Sequence, residues 1–495
     1  MNEDWNDLIH ERIRKAEEAR KSGTDPYPND QKVGWTTAAA RRAAGELGAE
    51  ELERKGIRVD VAGRIVAARN FGKATFVVIA DRAGRLQAYI RKDRVGDEAY
   101  SLFKKATDVG DIVWVEGLLF ITRTKELTVL AERFRLLCKG IRPLPEKWHG
   151  LVDVETRYRQ RYVDLIVNEK VREVFRRRAR IIAYIRSFLA ERDFLEVETP
   201  MMQPVAGGAA AKPFVTHHNA LDMDLYLRIA PELYLKRLLV GGFERVFEIN
   251  RNFRNEGIST QHNPEFTMVE FYQAYATYED LMRLTEEMIS SLALSLFGTT
   301  AVEVQGKTID FTPPWERITV AGAVARYAGV PEEKLSDPEF LRRMAISLGI
   351  ATREDWAPGR LLFEIFEEVA ERKIKGPAFV TEYPIEVSPL SRRNDLRPGI
   401  VDRFELIVLG REIANAFSEL NDPLDQRRRL EEQMVQRERG DEEAHAMDED
   451  FLRALEHGMP PAAGEGIGID RLVMLFTDSP SIRDVILFPQ LRKEG

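Results

Sequence analysis

The stretch F-R-N-E-G-I-S-T-Q-H-N-P-E-F, Phe253 to Phe266, places an arginine, a glycine turn, a histidine and an aromatic ring in one hairpin-sized segment. Arg254 offers a planar fork of donors to one phosphate, and His262 can reach another. Phe266 offers a flat face to a base, and Glu256 can accept a hydrogen bond from an exocyclic amine. A charged surface hairpin with a core phenylalanine explains any one of these residues but explains the set poorly. The segment therefore indicates a site for a nucleotide polyphosphate.

Four segments in chain order resemble the class II aminoacyl-tRNA synthetases, in the form found in lysyl-tRNA synthetase. The stretch above resembles motif 2 of that family. The other three are Phe175 to Pro200, which ends E-V-E-T-P and resembles motif 1; A-P-E-L-Y-L-K-R, Ala230 to Arg237; and G-E-G-I-G-I-D-R-L-V-M-L-F, Gly464 to Phe476, which resembles motif 3. The resemblance runs from about Gly56 to Arg492. It implies a homodimeric enzyme that uses ATP and Mg²⁺ to join L-lysine to tRNA(Lys).

Composition limits the other possibilities. A chain of 495 residues suggests about three domain-sized units or two larger ones, and 44% hydrophobic residues suffice for sizeable cores. No apolar run of about 18 residues occurs, and the N-terminus is charged throughout, so we expect a cytoplasmic protein with no membrane partner. The single cysteine, Cys138, excludes an internal disulfide and a cysteine-rich metal site. The net charge of −8 argues against a general polyanion binder, although a local basic face can still bind RNA.

The pattern along the chain predicts an α+β protein. Residues 1–55 form a helical extension in this interpretation, with two helices around the proline-containing loop Ser22 to Asp30 and the second helix near Thr36 to Lys55. Residues 56–141 contain five short β-type runs, which predict a small Greek-key barrel of the OB type. The runs are punctuated by glycines at four places, Gly72, Gly84, Gly110 and Gly117.

The remainder of the chain predicts a second, larger domain. Residues 142–150 contain two prolines and no periodicity, and we interpret them as a linker. Residues 151–495 begin with a long amphipathic helix and then alternate irregularly between helix and strand, which favours an antiparallel sheet flanked by helices. The segment 321–375 is mostly helical in pattern and offers no candidate chemistry.

Amino-acid activation requires the attack of a carboxylate on the α-phosphate of ATP. Both reactants are anions, so we expect catalysis by charge neutralisation and alignment and not by a protein nucleophile. Arg254 is the candidate to bridge the two, as its counterpart does in the family. Arg471, just after G-I-G-I-D, is expected to cover the adenine face opposite Phe266 and to reach the terminal phosphate. No G-x-G-x-x-G with a suitably spaced acidic residue occurs, which excludes a dinucleotide fingerprint.

A polyphosphate also needs magnesium, which carboxylates hold. Glu405 and Glu412 are the candidates, and the resemblance implies that both bind the metal and that Glu412 also serves ATP. They lie seven residues apart, so in one continuous strand their side chains would point to opposite faces. A bulge or turn near Gly410 can restore a common side; purely structural glutamates on a strand edge are the alternative.

A lysine pocket must neutralise an α-ammonium and an ε-ammonium while it holds a four-carbon stem. Buried charges need partners, so carboxylates should line such a pocket. The resemblance places Glu232 at the α-amino group, and Glu270, Glu419 and Tyr272 at the ε-ammonium. It further places Asn415 near the carboxylate, Phe417 on the stem and Gly208 where the backbone approaches the substrate. An aspartate pocket would need arginine or lysine instead.

The barrel is expected to bind the tRNA anticodon. OB-type barrels stack bases on aromatic side chains and bind their edges by hydrogen bonds. By resemblance, Phe76 stacks an anticodon uridine, Gln87 reads one, and Arg69 and Glu126 add contacts. From its own sequence context, A-T-F-V-V-I-A, Phe76 fits a core position equally well.

Glu465 departs from the family pattern, because an apolar residue such as leucine is expected between the motif 3 glycines. A side chain that pointed toward ATP would repel phosphate, and one that pointed away would be harmless. Three rival interpretations stay open at this point: an aspartyl- or asparaginyl-type tRNA ligase, a translation-factor lysylase, which would lack the barrel, and a non-catalytic RNA-binding regulator with the same fold.

Overall fold

The computed structural model of this chain describes residues 6–145, 151, 153–440 and 444–493. The chain divides into two compact units, Met1–Val152 and Asp153–Gly495. Of the linker expected at 142–150, residues 146–150 lie outside the described part. Among the described residues, no helix is both long and apolar enough to cross a membrane.

The helices of the first unit differ in one place from the sequence-based expectation. Instead of one helix from Thr36 to Lys55 there are two, because Gly45 adopts a left-handed φ of +52° that ends the first, and the second begins only after Gly48. The five helices are α1 (Asp7–Lys21), α2 (Thr37–Ala44), α3 (Ala49–Lys55), α4 (Lys92–Val95) and α5 (Asp97–Ala106).

The five strands of the first unit are β1 (Arg58–Asn70), β2 (Ala74–Asp81), β3 (Gly84–Arg91), β4 (Ile112–Ile121) and β5 (Leu127–Cys138). They form a closed barrel in the order β1-β2-β3-β5-β4, as the OB-type pattern predicted. Gly117 does not punctuate two strands but lies inside β4 at a register shift, where a Cβ atom would collide with the carbonyl oxygen of Leu130. Alternation along β2 buries Val77 and Ile79 in the barrel and leaves Phe76 half-buried on its outer side.

The second unit is built on an eight-stranded sheet. Its order is β14-β15-β16-β17-β18-β11-β10-β6, antiparallel except for the outer pairs β14·β15 and β10·β6. A three-stranded sheet β7-β9-β8 and a hairpin β12-β13 complete the strands. The thirteen strands are β6 (Leu195–Glu196), β7 (Met202–Gln203), β8 (Phe214–His218), β9 (Met223–Leu227), β10 (Arg245–Phe253), β11 (Glu265–Ala274), β12 (Ala301–Val304), β13 (Lys307–Asp310), β14 (Glu316–Thr319), β15 (Ala378–Thr381), β16 (Arg403–Val408), β17 (Arg411–Ser418) and β18 (Ala462–Gly468).

Helices cover this sheet. They are α6 (Val154–Arg159), α7 (Arg161–Val167), α8 (Glu169–Ala190), α9 (Glu232–Val240), α10 (Tyr278–Phe297), α11 (Val320–Ala328), α12 (Pro338–Ser347), α13 (Pro358–Val369), α14 (Pro423–Glu438), α15 (Glu449–Glu456), α16 (Ile469–Phe476) and α17 (Ile482–Val485), with short 3-10 turns at Glu332–Ser336, Glu371–Lys373 and Ile385–Val387. As the pattern of 321–375 predicted, that segment is helical; it has its own apolar core around Ile365 and Phe366.

The main core lies between one face of the sheet and helices α8, α10 and α16. The amphipathic stripe of α8 packs into it through Ile181, Ile185, Phe188 and Leu189. The stretch that resembles motif 1, Phe175 to Pro200, is helical only as far as Ala190, where α8 ends, and the chain continues through β6. The opposite face of the sheet is free to carry a site.

Candidate active site

Three neighbouring strands line a cavity of about 350 Å³ on the face of the sheet opposite the main core. In the middle strand, β18, Gly464, Gly466 and Gly468 lie opposite Tyr272, Glu270 and Met268 of β11. On its other side, Gly464 and Gly466 lie opposite Phe417 and Asn415 of β17. Because side chains on one face recur every second residue, the three glycines form a floor between two rows of larger side chains.

Two of those glycines, Gly464 and Gly466, leave no room for a side chain. A Cβ atom on Gly464 would collide with the Tyr272 ring and the Glu419 carboxylate, and one on Gly466 would lie 2.9 Å from Met268 Cε. Gly208, with φ +87°, approaches the Cβ atoms of Glu232 and Ala230. The backbone is thus brought within reach of a ligand at all three positions.

One end of the cavity is basic and aromatic. Arg254, immediately after β10, lies with its guanidinium carbon 5.1 Å from the centre of the Phe266 ring. Its Nε is buried and has no hydrogen-bond partner in the described part of the chain. Arg471, on the first turn of α16, lies with Nη2 3.4 Å from His262 Nε2. Glu256 also lines this end. Burial lowers the pKa of Arg254, and the negative charges of Glu256, Glu412 and Glu270 oppose this shift. Because Glu256 lines the basic end and Glu270 the acidic end, the Arg254 guanidinium interacts with groups at both ends of the cavity.

The residue before Arg471 is a buried carboxylate that links three elements. Asp470 accepts a hydrogen bond of 2.7 Å from the backbone of Thr267 on β11 and forms an ion pair with Arg178 of α8. Since Arg178 also donates to the Thr267 hydroxyl, motif 1, motif 2 and motif 3 meet at this point. The position of Arg471 therefore depends on all three.

Glu405 and Glu412 face the same side of the sheet. Leu406 pairs with Ala414 and Ile407 with Glu412, so Ile413 is an extra residue in β17, and this irregularity changes which residues of β17 face the cavity. The turn at Leu409 and Gly410 then places the two glutamates on adjacent strands. Both glutamates line the cavity. A bulge and a turn near Gly410 thus bring their side chains to a common side of the sheet, which was one of the two alternatives that the sequence left open.

Each of these glutamates has an arginine partner. Arg403 Nη2 lies 2.6 Å from Glu405, and Arg471 Nη1 lies 2.9 Å from Glu412. Burial raises the pKa of Glu405 to about 7 against the attraction of Arg403. Burial also favours the neutral form of Glu412, but the ion pair with Arg471 keeps its pKa below the usual value. Among the residues that the structure describes, no group of three or more His, Cys, Asp or Glu side chains forms a ready-made metal site.

The other end of the cavity is acidic. Glu232, at the start of α9, and Glu270, on β11, are buried there with Tyr272, whose hydroxyl donates to Glu270 across 3.3 Å. Burial and the nearby charge of Glu232 raise the pKa of Glu270 to about 8. Asn415 and Phe417 of β17 complete this end. Of the described side chains on the wall of this end, only Arg254 and Arg403 are cationic.

Glu419 is placed differently from the other seven residues predicted for lysine. It lies behind the cavity wall, 1% exposed, and faces Lys236. Lys236 Nζ lies 2.5 Å from Glu419 Oε2 and forms a buried ion pair with it. Burial, with Lys236 opposing it, raises the pKa of Glu419 to about 8.

Three residues of this site were not predicted. Lys236 was visible as the basic residue four positions after Glu232 in A-P-E-L-Y-L-K-R, the spacing of a helical ion pair. Arg403 lies two positions before Glu405 on the same strand face and binds Asn415 Oδ1 at 3.1 Å. His445 lines the acidic end and gave no sequence signal; burial first and the charge of Lys236 second lower its pKa to about 4.

Glu465 points away from the cavity. Its neighbours across the sheet, Phe271 and Ala416, belong to the main core, and its carboxyl meets Thr285 of α10. The harmless orientation is therefore the one observed.

A second cavity of about 1050 Å³ shares Glu256, Gly257 and Pro389 with the first. Burial leaves the Nε atoms of Arg360, Arg393 and Arg429 on its wall without hydrogen-bond partners in the described ranges. Of the described side chains that line it, seven are basic (Lys212, Arg353, Arg360, Arg393, Arg428, Arg429 and Arg439) and four are acidic (Glu256, Asp355, Glu386 and Glu432). This cavity is suited to a polyanion.

In the first unit, the outer side of the barrel carries an aromatic surface, Phe71, Phe76, Tyr89 and Phe120. Phe76 stacks on Tyr89, its cross-strand partner, with ring centres 4.0 Å apart, and Phe71 meets Phe76 edge-on. Phe71 is 66% exposed. Tyr89 was not predicted, because its cross-strand position depends on the register of β2 and β3.

The other barrel residues predicted for RNA surround this surface. Arg69 pairs across β1 and β2 with Phe76 and is exposed. Gln87, on the strand of Tyr89, donates to Thr128, and Glu126 forms an exposed ion pair with Arg41.

Comparisons with known proteins agree with both units. Residues 153–492 match the family model described as tRNA synthetases class II (D, K and N), and residues 59–137 match that of an OB-fold nucleic acid binding domain. The chain thus belongs to the class II aminoacyl-tRNA synthetases.

Individual relatives narrow the family further. The lysine–tRNA ligase of Magnetococcus marinus is 57% identical over 492 residues, which cover 99% of this chain and 98% of the relative. That of Thioalkalivibrio sulfidiphilus is 58% identical over 489 residues, with 99% and 98% covered, and that of Moorella thermoacetica is 56% identical over 487 residues, with 98% of each covered. Within its class, the chain belongs to the lysine–tRNA ligase family.

Proposed function

We propose that the 350 Å³ cavity binds lysine and ATP together, joins them as lysyl-adenylate, and passes the lysyl group to tRNA(Lys). One observation carries this proposal: Arg254 lies between an acidic, buried end and a basic, aromatic end of the same cavity. Lysine, proposed for the acidic end, has two ammonium groups, and ATP, proposed for the basic end, has a triphosphate. Their reacting groups, a carboxylate and the α-phosphate, are both anionic and meet at Arg254.

The acidic end suits lysine. Glu232 is the partner proposed for the α-ammonium, and Glu270 with Tyr272 the partners for the ε-ammonium, with Glu419 contributing its charge from behind the wall. Phe417 packs on the methylene stem, Asn415 lies near the carboxylate, and Gly208 lets the backbone approach the ligand. An arriving ammonium favours the ionised forms of Glu270 and Glu419, which burial disfavours in the free site. Aspartate or asparagine would leave these carboxylates without a cation.

The other end suits ATP. Phe266 and Arg471 are proposed to sandwich the adenine, Glu256 to accept from its amine, and His262 to reach a phosphate. Arg254 is free to bridge, because its buried Nε has no partner among the described residues. In the reaction a carboxylate oxygen of lysine attacks the α-phosphorus and pyrophosphate leaves. Arg254 stabilises the charge that accumulates on the α-phosphate, in a site that water reaches poorly.

Glu405 and Glu412 are the residues proposed to hold Mg²⁺. Two carboxylates on one face are compatible with an ion that takes its remaining ligands from phosphate oxygens and water. Mg²⁺ held by Glu405 and Glu412 would supply positive charge against the phosphates of ATP. Arg403 and Arg471 hold the two carboxylates in position until then.

The second cavity is proposed to admit the single-stranded 3′ end of tRNA. It adjoins the first at the Glu256–Gly257 loop, and its excess of basic side chains suits a phosphate backbone. A hydroxyl of the terminal adenosine then attacks the carbonyl carbon of lysyl-adenylate, and AMP leaves. The aromatic surface of the barrel is the proposed anticodon site, where Phe76 and Tyr89 stack bases and Arg69, Gln87 and Glu126 contact their edges or backbone.

We also propose a homodimer in the cytoplasm. Apolar side chains around motif 1 and the three-stranded sheet are strongly exposed: Leu195 47%, Met201 47%, Met202 55%, Val215 60% and Leu221 65%. Exposed apolar side chains in such numbers favour a partner surface. Light scattering on Val215→Asp, with Leu348→Asp on the surface of the helical segment as the control, tests this assignment.

The test of the function is ATP–pyrophosphate exchange with each amino acid in turn, followed by charging of tRNA. Exchange that depends on lysine and not on aspartate or asparagine is expected. Exchange with aspartate or asparagine would favour the related ligases, and the absence of exchange with any amino acid would favour an RNA-binding regulator.

A further inference from the structure

Lys236 is a fully buried cation behind the wall of the acidic end of the active site. Its side chain is 0% exposed, and Nζ lies 2.5 Å from Glu232 Oε1 and 2.5 Å from Glu419 Oε2. The ammonium also lies 5.3 Å from the centre of the Phe417 ring. Two residues proposed for lysine recognition, Glu232 and Glu419, are therefore bound to the same internal ammonium.

The charges at this end can be counted. Glu232, Glu270 and Glu419 contribute three negative charges when ionised, and Lys236 contributes one positive charge. With all three ionised, and with Arg254 set aside for the carboxylate of the ligand, this end is two charges negative, which a buried site tolerates poorly. This agrees with the raised pKa of both Glu270 and Glu419. Other charged groups nearby are already matched, because Arg403 is paired with Glu405, and His445 is neutral.

We propose that Lys236 is a positioning and specificity-determining residue for lysine. Its ammonium neutralises one of the three carboxylates, so that the remaining negative charge matches the two ammonium groups of a lysine ligand. This inference rests on the proposed function. With lysine bound, its α- and ε-ammonium groups cancel the two remaining negative charges, and its carboxylate is matched by Arg254. A ligand with one ammonium leaves one buried carboxylate without a counter-charge.

Lys236 also fixes geometry. Glu232 belongs to α9 and Glu419 follows β17, so the ammonium joins two elements that are distant in the chain. It holds the Glu232 carboxylate by a hydrogen bond and leaves Glu419 with unfilled acceptor positions among the described residues. The fixed lysine therefore prepares the carboxylates for a ligand and does not itself lie in the lining of the cavity.

The experiment compares Lys236→Met with the double variant Lys236→Met/Glu419→Gln in lysine-dependent ATP–pyrophosphate exchange. The single variant removes the hydrogen bond that holds Glu232 and the positive charge that opposes the raised pKa of Glu232 and Glu419. The carboxylates are then more often protonated and less well placed for the ligand, so we expect the KM for lysine to rise at least about tenfold while the KM for ATP stays within about twofold. The double variant returns the pocket to two negative charges. Although the double variant loses a further polar contact, its KM for lysine is expected to be lower than that of the single variant and closer to that of the wild type.

Arg237→Met is the matched control. Arg237 is the next residue of α9 and forms a largely buried ion pair with Asp448, away from the cavity. The Arg237→Met variant is expected to have a lower melting temperature and an unchanged KM for lysine. If Lys236→Met does not fold, Lys236→Gln takes its place in both variants, since it keeps a donor for Glu232.

Three outcomes overturn the inference. The first is a KM for lysine in the single variant that stays within twofold of the wild-type value. The second is a KM for lysine in the double variant as high as in the single variant, which would assign Lys236 to packing. The third is an equal rise in the KM for lysine and the KM for ATP. A wild-type protein that shows no lysine-dependent exchange would instead overturn the proposed function, and the two failures are therefore distinguishable.

Discussion

Both carboxyl oxygens of Glu465 lie 2.7 Å from the hydroxyl oxygen of Thr285, inside the core behind the glycine strand of the active site. A threonine hydroxyl has one proton and two lone pairs, so this pairing is satisfied when the carboxyl donates as well as accepts. Burial raises the pKa of Glu465 to about 8, against the hydrogen bond from Thr285. The residue is therefore neutral at and below neutral pH.

Glu465 should make stability depend on pH. The folded protein keeps this proton up to about pH 8, whereas the unfolded chain releases it near the ordinary value of 4.5. The contribution of Glu465 to the free energy of unfolding is therefore fully present below pH 4.5 and is lost as the pH rises toward 8, by at most about 4 kcal/mol between pH 5 and pH 8. Glu465→Gln should lack this component. Melting temperatures at pH 5, 6.5 and 8 measure it; curves of the same shape for both proteins would contradict the assignment.

Arg254→Ala should abolish adenylate formation in a folded protein. Its guanidinium is the group proposed to neutralise the α-phosphate, and loss of one such donor costs on the order of 10²–10³ in kcat. Arg251→Ala is the control, since Arg251 lies three residues earlier and pairs with Glu265 on the surface. Exchange rates measured for both variants decide the matter, and wild-type exchange in Arg254→Ala would remove Arg254 from the mechanism.

Glu270→Gln should raise the KM for lysine about tenfold or more, with the KM for ATP changed less than about twofold. The amide keeps the shape of the side chain but removes a charge that the ε-ammonium needs. Glu265→Gln, on the same strand and outside the cavity lining, provides the comparison. If ATP binding falls and lysine binding does not, Glu270 belongs to the nucleotide end.

Phe76→Ala and Tyr89→Ala should each weaken tRNA charging by roughly ten- to a hundred-fold, because a stacking platform contributes ~1–3 kcal/mol per base. Lysine-dependent exchange should be unchanged, since the described residues that line the catalytic cavity all fall between 208 and 482. Val78→Ala, on the same outer side of β2, is the control without a ring. Loss of exchange and charging together would indicate a structural role; loss of neither would assign anticodon binding to other residues.

Arg393→Gln should raise the KM for tRNA in charging while lysine-dependent exchange stays at the wild-type rate. A minihelix that carries only the acceptor stem should show the same defect, which separates this cavity from the barrel. Arg397→Gln, whose arginine pairs with Glu382 outside the cavity, is the control. A normal response to the minihelix would show that the 3′ end enters elsewhere.

Much of the architecture followed from local patterns. The alternation in 56–141 predicted the barrel, and the motifs of the second unit predicted a sheet flanked by helices, because burial of apolar faces imposes periods of 2 and 3.6 on the chain. Local detail was less certain: Gly45 divided an expected helix, and Gly117 lay inside a strand. A glycine in the sequence does not reveal whether it ends an element or admits a neighbouring backbone.

The sequence by itself determined the family, the two-part organisation and most of the residues named for the candidate site, since motif spacing is a property of the chain. Only the tertiary structure decided how these residues meet. The extra residue Ile413 turns Glu412 to the side of Glu405, the register of β2 and β3 brings Tyr89 onto Phe76, and α9 carries Lys236 between Glu232 and Glu419. Strand register, bulges and ion pairs between distant elements depend on packing across the whole sheet, and no local stretch of sequence contains that information.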